Sequence, residues 1–210
     1  MLQTELISAQ DRDSRDLLIV LHGLGDSMEG YRWVPSMIGS SGLNVLLVNA
    51  PDAYYGGFSW YEYAPDTSAA AGGVERSYRL LESLLNKTAE QGFPSARTLL
   101  FGFSQGCLMT TETMVRYPAR LAGAIGVSGY VHDVQRLLKL ASPVAKEQKF
   151  LITHGTEDPL IPLREAQTDF GTLKAEDYQV DFRTFPKVHT IIEPELALFR
   201  SFIADRLPQS

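Results

Sequence analysis

Residues Gly102-Phe103-Ser104-Gln105-Gly106 set a serine between two glycines, each two positions away. A serine hydroxyl attacks a carbonyl carbon only where a base can take its proton and fixed donors can meet the oxyanion that develops. The motif follows the apolar run Thr98–Phe101 and opens a helical segment that stops at Pro118. The serine therefore falls on a sharp strand-to-helix turn that lifts it clear of its surroundings. Strand and helix backbones approach closely at such a turn, and Gly102 and Gly106 are the positions where a side chain would intrude. The helix N-terminus behind Ser104 adds free N–H groups and the positive end of a dipole. A second glycine-rich turn, His22-Gly23-Leu24-Gly25-Asp26, follows the apolar run Leu17–Leu21. The backbone N–H groups of Leu24 and Gln105 are the candidate oxyanion donors.

The base must be one of four histidines, His22, His132, His154 and His189. The elbow around Ser104 resembles that of α/β-hydrolases, in which the nucleophile is followed in the chain by Asp or Glu and then by His. His22 precedes the serine and suits a structural hydrogen-bonding role at the base of its loop. His132 lies in a long connection, and His154 sits at a strand end before the best carboxylate. His189 lies on a loop between the last strand and the last helix, where function collects in doubly wound sheets. It is the assigned base. In Gly155-Thr156-Glu157-Asp158-Pro159-Leu160-Ile161-Pro162, the proline after Asp158 fixes the turn. Asp158 is favoured over its rival Glu157 because a short carboxylate on a rigid turn can hold an imidazole in one tautomer. Without chemistry the same residues would be a tight turn, a loop histidine and a turn-forming aspartate.

These residues need a scaffold, and the hydrophobic pattern predicts one. Leu17–Leu21, Val45–Val48, Thr98–Phe101, Ala122–Val127 and Phe150–Ile152 are short apolar runs without polar alternation, as expected of strands buried on both faces of a parallel sheet. Tyr178–Arg183 alternates and predicts an edge strand, and Thr4–Ala9 is a weaker candidate. Helical stripes fall between them: Val74, Tyr78, Leu81 and Leu85; Gln105 to Tyr117; Leu163, Ala166, Phe170 and Leu173; Leu196, Phe199, Phe202 and Ile203, with Pro194 suited to the first turn. The alternation predicts an α/β fold with a mostly parallel central sheet and helices on both faces, in one domain spanning 1–210. Two connections are long. Asp52 to Ala71 predicts a loop dense in aromatics (Tyr54, Tyr55, Phe58, Trp60, Tyr61, Tyr63), and Tyr130 to Gln148 carries a short helical pattern at Val134, Leu137 and Leu138.

Composition limits the partners. The 210 residues are 44% hydrophobic and 21% charged, with a net charge of −6 and no block of basic residues. That balance argues against nucleic acid and anionic membrane surfaces. The single cysteine, Cys107, cannot form an internal disulfide and suits a small buried position behind the elbow. The polar stretch Met1–Asp16 shows no leader, and no apolar run is long enough to span a bilayer. A cytoplasmic location is expected.

Taken together, His22-Gly23-Leu24-Gly25-Asp26-Ser27, Ala50-Pro51, Ser59-Trp60, Gly102-Phe103-Ser104-Gln105-Gly106, His154-Gly155, Asp158-Pro159-Leu160-Ile161-Pro162 and His189 resemble the acyl-protein thioesterase/carboxylesterase family from about Leu17 to the C-terminal helix. The chain departs from the family at Cys107, where a second glycine is usual, at Glu62, where Asp is frequent, and at Lys187-Val188, where glycines are common. The resemblance implies the α/β-hydrolase fold and a serine esterase or thioesterase acting through Ser104, Asp158 and His189. It implies no metal and no organic cofactor. The substrate would be a small-molecule or lipid acyl ester, or an acylated protein, and a homodimer is an admissible assembly. Met28, Phe58, Trp60, Tyr130, Val131, Leu160 and Ile161 follow strand C-termini and are the candidate acyl-binding residues. Two other readings are a non-catalytic small-molecule binder on the same fold and a serine peptidase.

Overall fold

The computed structural model describes residues 1–62 and 67–207. Tyr63, the last of the aromatics named above, lies outside them. Seven strands form one sheet: β1 (Thr4–Ile7), β2 (Asp16–Leu21), β3 (Leu43–Val48), β6 (Thr98–Phe103), β7 (Gly123–Val127), β8 (Lys149–Gly155) and β9 (Gln179–Phe185). Their spatial order is β1-β3-β2-β6-β7-β8-β9. Among these seven described strands only β1 runs antiparallel to its neighbour. The continuous apolar runs have a simple cause. Along β2, Leu17, Ile19 and Leu21 feed one buried cluster while Leu18 and Val20 feed another on the opposite face. Both faces of the strand are interior, so neither can be polar.

Helices supply the two covers. Buried residues of α2 (Thr67–Glu90), α3 (Gln105–Arg116) and α5 (Leu163–Ala175) pack on the first face, with Leu137 of the short α4 (Val134–Lys139). The second face is covered by α1 (Val34–Ile38) and by Leu196, Phe199 and Ile203 of α6 (Glu193–Arg206), whose Pro194 stands in the first turn. Among the described residues no helix is long and apolar enough to cross a membrane.

The aromatic stretch departs from the expected loop. It contains a hairpin of β4 (Asp52–Tyr54) and β5 (Gly57–Ser59), and α2 begins at Thr67. The hairpin docks on the glycine turn after β2, where Phe58 N–H donates to the Asp26 carbonyl and Gly25 N–H to the Phe58 carbonyl, both at 2.9 Å. The central strands end in register, Leu21 opposite Gly102 and Phe103 opposite Val127. The turns after β2, β6 and β8 therefore gather at one rim of the sheet.

Candidate active site

Ser104 stands between β6 and α3 with φ +54° and ψ −116°, a backbone conformation that a side-chain-bearing residue adopts only under constraint. The constraint is packing. A Cβ on Gly106 would overlap the Leu21 carbonyl of β2, and one on Gly102 would overlap the backbone of Gly106. Strand, elbow and helix thus interlock where both positions lack side chains. Cys107 is fully buried one turn into α3, against Gly126 and Gly129. Burial pushes its thiol up to about 12, which disfavours the reactive thiolate.

His189 and Asp158 arrive on the turns after β9 and β8. The Nδ1–H of His189 donates to Asp158 Oδ2 at 2.7 Å. The other carboxylate oxygen accepts the N–H groups of Leu160 and Ile161 at 2.9 and 3.0 Å. Burial alone would raise the Asp158 carboxyl. The Ile161 N–H, the His189 ring and the Leu160 N–H outweigh it and hold the group below the usual carboxylate range. The aspartate is therefore an ionised, fixed anchor for the imidazole. The His189 ring also rests on Phe103, with centroids 4.9 Å apart. Ser104 and His189 line one cleft of about 370 Å³, with Leu24, Gln105, Tyr54, Tyr130, Leu160 and Ile161.

Two of the residues lining this cleft have unused backbone donors. The N–H groups of Leu24 and Gln105 find no acceptor among the described residues. The turn that presents Leu24 is held by His22, whose Nδ1–H donates to the Gly23 carbonyl at 2.6 Å and whose Nε2 accepts the Ala50 N–H at 3.0 Å. Both ring nitrogens are committed, and burial keeps the ring's pKa low, so His22 is a neutral strut. The Gln105 side chain ties the elbow to the hairpin. Its Oε1 accepts the Trp60 N–H and its Nε2 donates to the Tyr61 carbonyl, each at 3.1 Å.

Tyr130, Leu160 and Ile161 line the cleft, and four other expected acyl-site residues do not. Met28 turns into the core beside Tyr31 and Val34, and its N–H is held by Asn49. Trp60 is fully buried and donates its indole N–H to the His22 carbonyl at 2.9 Å, so it supports the Leu24 turn from beneath. Phe58 is tied through its backbone to that turn and packs on the core. Val131 is buried, with its N–H on Asp169. All four are apolar residues near strand ends whose side chains point into the protein.

Lys187, named above only as a departure from the family, is a neighbour whose bracing role the sequence did not reveal. Its side chain is buried, with Nζ 2.6 Å from Glu195, 2.7 Å from the Thr190 carbonyl and 3.3 Å from the Ser128 hydroxyl. Its own carbonyl accepts the Glu157 N–H at 3.1 Å. One residue thus braces the loop of His189 and the turn of Asp158. Burial lowers its pKa, and Glu195 works against that shift. His154 lies close as well, donating Nε2–H to the Ile161 carbonyl at 2.9 Å with its other ring nitrogen unpaired.

The family model described as phospholipase/carboxylesterase matches residues 2–207. The chain belongs to the phospholipase/carboxylesterase family. It is an α/β-hydrolase and a carboxylic ester hydrolase. The acyl-protein thioesterase 1 of Debaryomyces hansenii is 28% identical over 96% of this chain and 95% of its own length. That of Schizosaccharomyces pombe is 34% identical over 69% of each chain. Among solved structures, esterase PE8 shares 25% identity at a TM-score of 0.85, covering 98% of this chain and 99% of its own. Carboxylesterase SOBER1 of Arabidopsis thaliana shares the fold at 24% identity, with a TM-score of 0.82 over 91% of this chain and 99% of its own.

Proposed function

We propose that this phospholipase/carboxylesterase family member cleaves carboxylic esters and thioesters with apolar acyl chains through an acyl-enzyme on Ser104. His189 takes the Ser104 proton as Oγ bonds to the carbonyl carbon. The N–H groups of Leu24 and Gln105 hold the oxyanion. The tetrahedral centre collapses, the bond to the leaving oxygen or sulfur breaks, and His189 protonates the departing atom. Water then attacks the acyl-enzyme with His189 again as base, releasing the acid and free serine. Asp158 keeps the imidazole in the tautomer that presents Nε2. The observation that carries this reading is one cleft holding Ser104, the carboxylate-anchored His189 and two unspent backbone donors.

Tyr130, Leu160 and Ile161 offer the acyl chain an apolar wall. The names of the thioesterase relatives add acylated proteins to the candidate substrates. A chain whose one thiol is buried needs no oxidising compartment, and we assign its work to the cytoplasm. The experiment is turnover of a p-nitrophenyl ester by Ser104→Ala. A loss of about 10⁴-fold or more is expected, together with loss of fluorophosphonate labelling. Near-normal turnover in this variant would remove Ser104 from the mechanism.

A further inference from the structure

A second cleft shares the wall formed by Asp26, Phe103 and His189 but contains neither Ser104 nor the Leu24 and Gln105 donors. It is larger, about 590 Å³, and runs between the segment entering α1 and the loop entering α6. Its apolar surface includes Trp33, Met37, Ile191 and Ile192. Nothing in the acyl-transfer reading above uses it. We propose that this cleft is the subsite for the alcohol or thiol half of the substrate, and that it takes an apolar leaving group without negative charge.

The inference rests on the acyl-transfer reading and deepens it. When the carbonyl carbon bonds to Ser104 Oγ, its oxygen lies against the Leu24 and Gln105 N–H groups. When the tetrahedral centre collapses, the electron pair of the broken bond stays on the leaving oxygen or sulfur. That atom takes its proton from His189 and so must touch the imidazole. The two halves of the substrate therefore part at His189. One cleft at this ring carries the oxyanion donors and an apolar wall for the acyl chain. The other begins at the same ring and leads away from the donors. A leaving group that follows it stays in contact with protein instead of entering water.

The rim sets the charge preference. Asp26 and Glu193 are acidic, both are exposed, and among the described residues neither lysine nor arginine lines the cleft. An anionic leaving group would meet like charge with no lysine or arginine in the lining to offset it. An uncharged alkyl or aryl group would cover Trp33 and Met37, which are half-exposed in the free protein.

Two ester series test the assignment by steady-state kinetics. The first holds the acyl group at butanoate and lengthens the alcohol from ethyl to hexyl, so that the leaving groups are equally basic. The second holds the phenyl alcohol and lengthens the acyl group from acetate to octanoate. In Trp33→Ala, KM for hexyl butanoate should rise about tenfold while the ethyl ester and the acyl series keep their wild-type pattern. Glu193→Lys, a change at an exposed position, should raise the ratio of kcat/KM for 5-carboxypentyl butanoate to that for hexyl butanoate severalfold. A shift of the acyl series in Trp33→Ala would give the cleft to the acyl chain and overturn the proposal. So would alcohol series that neither variant alters. Fluorophosphonate labelling of Ser104 in the same preparations separates the failures. Labelled enzyme with an unresponsive alcohol series defeats the subsite alone, and unlabelled enzyme defeats the reading beneath it.

Discussion

Asp158 divides its work between its two oxygens. One is consumed by the backbone of its own turn, the N–H groups of Leu160 and Ile161, and the other receives the His189 ring. The first pair fixes the carboxylate, and the fixed carboxylate then orients the imidazole. Asp158→Asn should keep most of this geometry, because an amide oxygen can still accept the two backbone N–H groups. It should nevertheless lower kcat about 10³–10⁴-fold, since an amide no longer holds the ring in the reactive tautomer or stabilises its cation. KM should move little. A variant within tenfold of wild type would show that the ring is oriented by something else, such as its contact with Phe103. At this scale the spatial grouping of Ser104, Asp158 and His189 was legible from sequence. Ser104 announces itself through glycines that only a close backbone approach requires, and Asp158 through the proline that fixes its turn. Met28, Phe58, Trp60 and Val131 lie outside the cleft for a different reason. Position at the end of a strand says that a residue lies near the rim, and says nothing of whether its side chain faces the cleft or the core.

Elements position these residues by interlocking at the rim. The strands β2, β3, β6, β7 and β8 were legible because burial on both faces leaves an unbroken apolar run. The β4–β5 hairpin was not. Its three-residue strands, Asp-Ala-Tyr and Gly-Phe-Ser, carry no alternation, and their pairing depends on docking against Gly25 and Asp26. Lys187 stood in the sequence only as a departure from the family, and only the start of α6 reveals its partner. Glu195 accepts Lys187 through one oxygen and the Ile192 N–H through the other, so the pair ties the loop of His189 to the head of α6. Both side chains are essentially inaccessible, at 1% and 0% exposure, so removing one strands a buried charge. Lys187→Met alone should cost about 3–5 kcal/mol of stability. Lys187→Met with Glu195→Gln should recover most of that, since the amide is uncharged and its oxygen can still cap Ile192. Denaturant unfolding of both variants checks this. Equal losses would show that the lysine matters for its packing and not for its charge.

Across the whole molecule, the rim is assembled around imidazoles that the interior keeps neutral. His22 is wholly committed to the turn of Leu24, and His154 donates to the Ile161 carbonyl from a fully buried position beside Asp158, Lys187 and His189. Burial is the first cause that lowers the pKa of each. For His154, the Ile161 carbonyl and the Asp158 carboxylate oppose that fall, while the positive charge of Lys187 adds to it. The consequence for stability has a definite sign. As pH falls through about 6.5, the unfolded chain takes up protons on these rings more readily than the folded chain does. The unfolded state then binds more protons, so stability is lost on acidification. Each ring contributes up to about 1.4 kcal/mol per pH unit while the difference lasts. Glu112 and Asp169 act in the opposite sense, because burial raises their carboxyls and the folded chain gains their protons first. A single pH–stability curve therefore mixes the two, and a difference between variants separates them. His154→Gln keeps a donor within reach of Ile161 and removes one titrating ring. Its melting temperature should fall less than that of wild type between pH 7 and pH 5, by about 2–4 °C for each kcal/mol spared. Parallel curves would mean that the protonated ring is accommodated in place, through rearrangement toward the Asp158 carboxylate 3.6 Å away. In that case acidification would draw Asp158 from His189, and activity would be lost on the acid side before the fold.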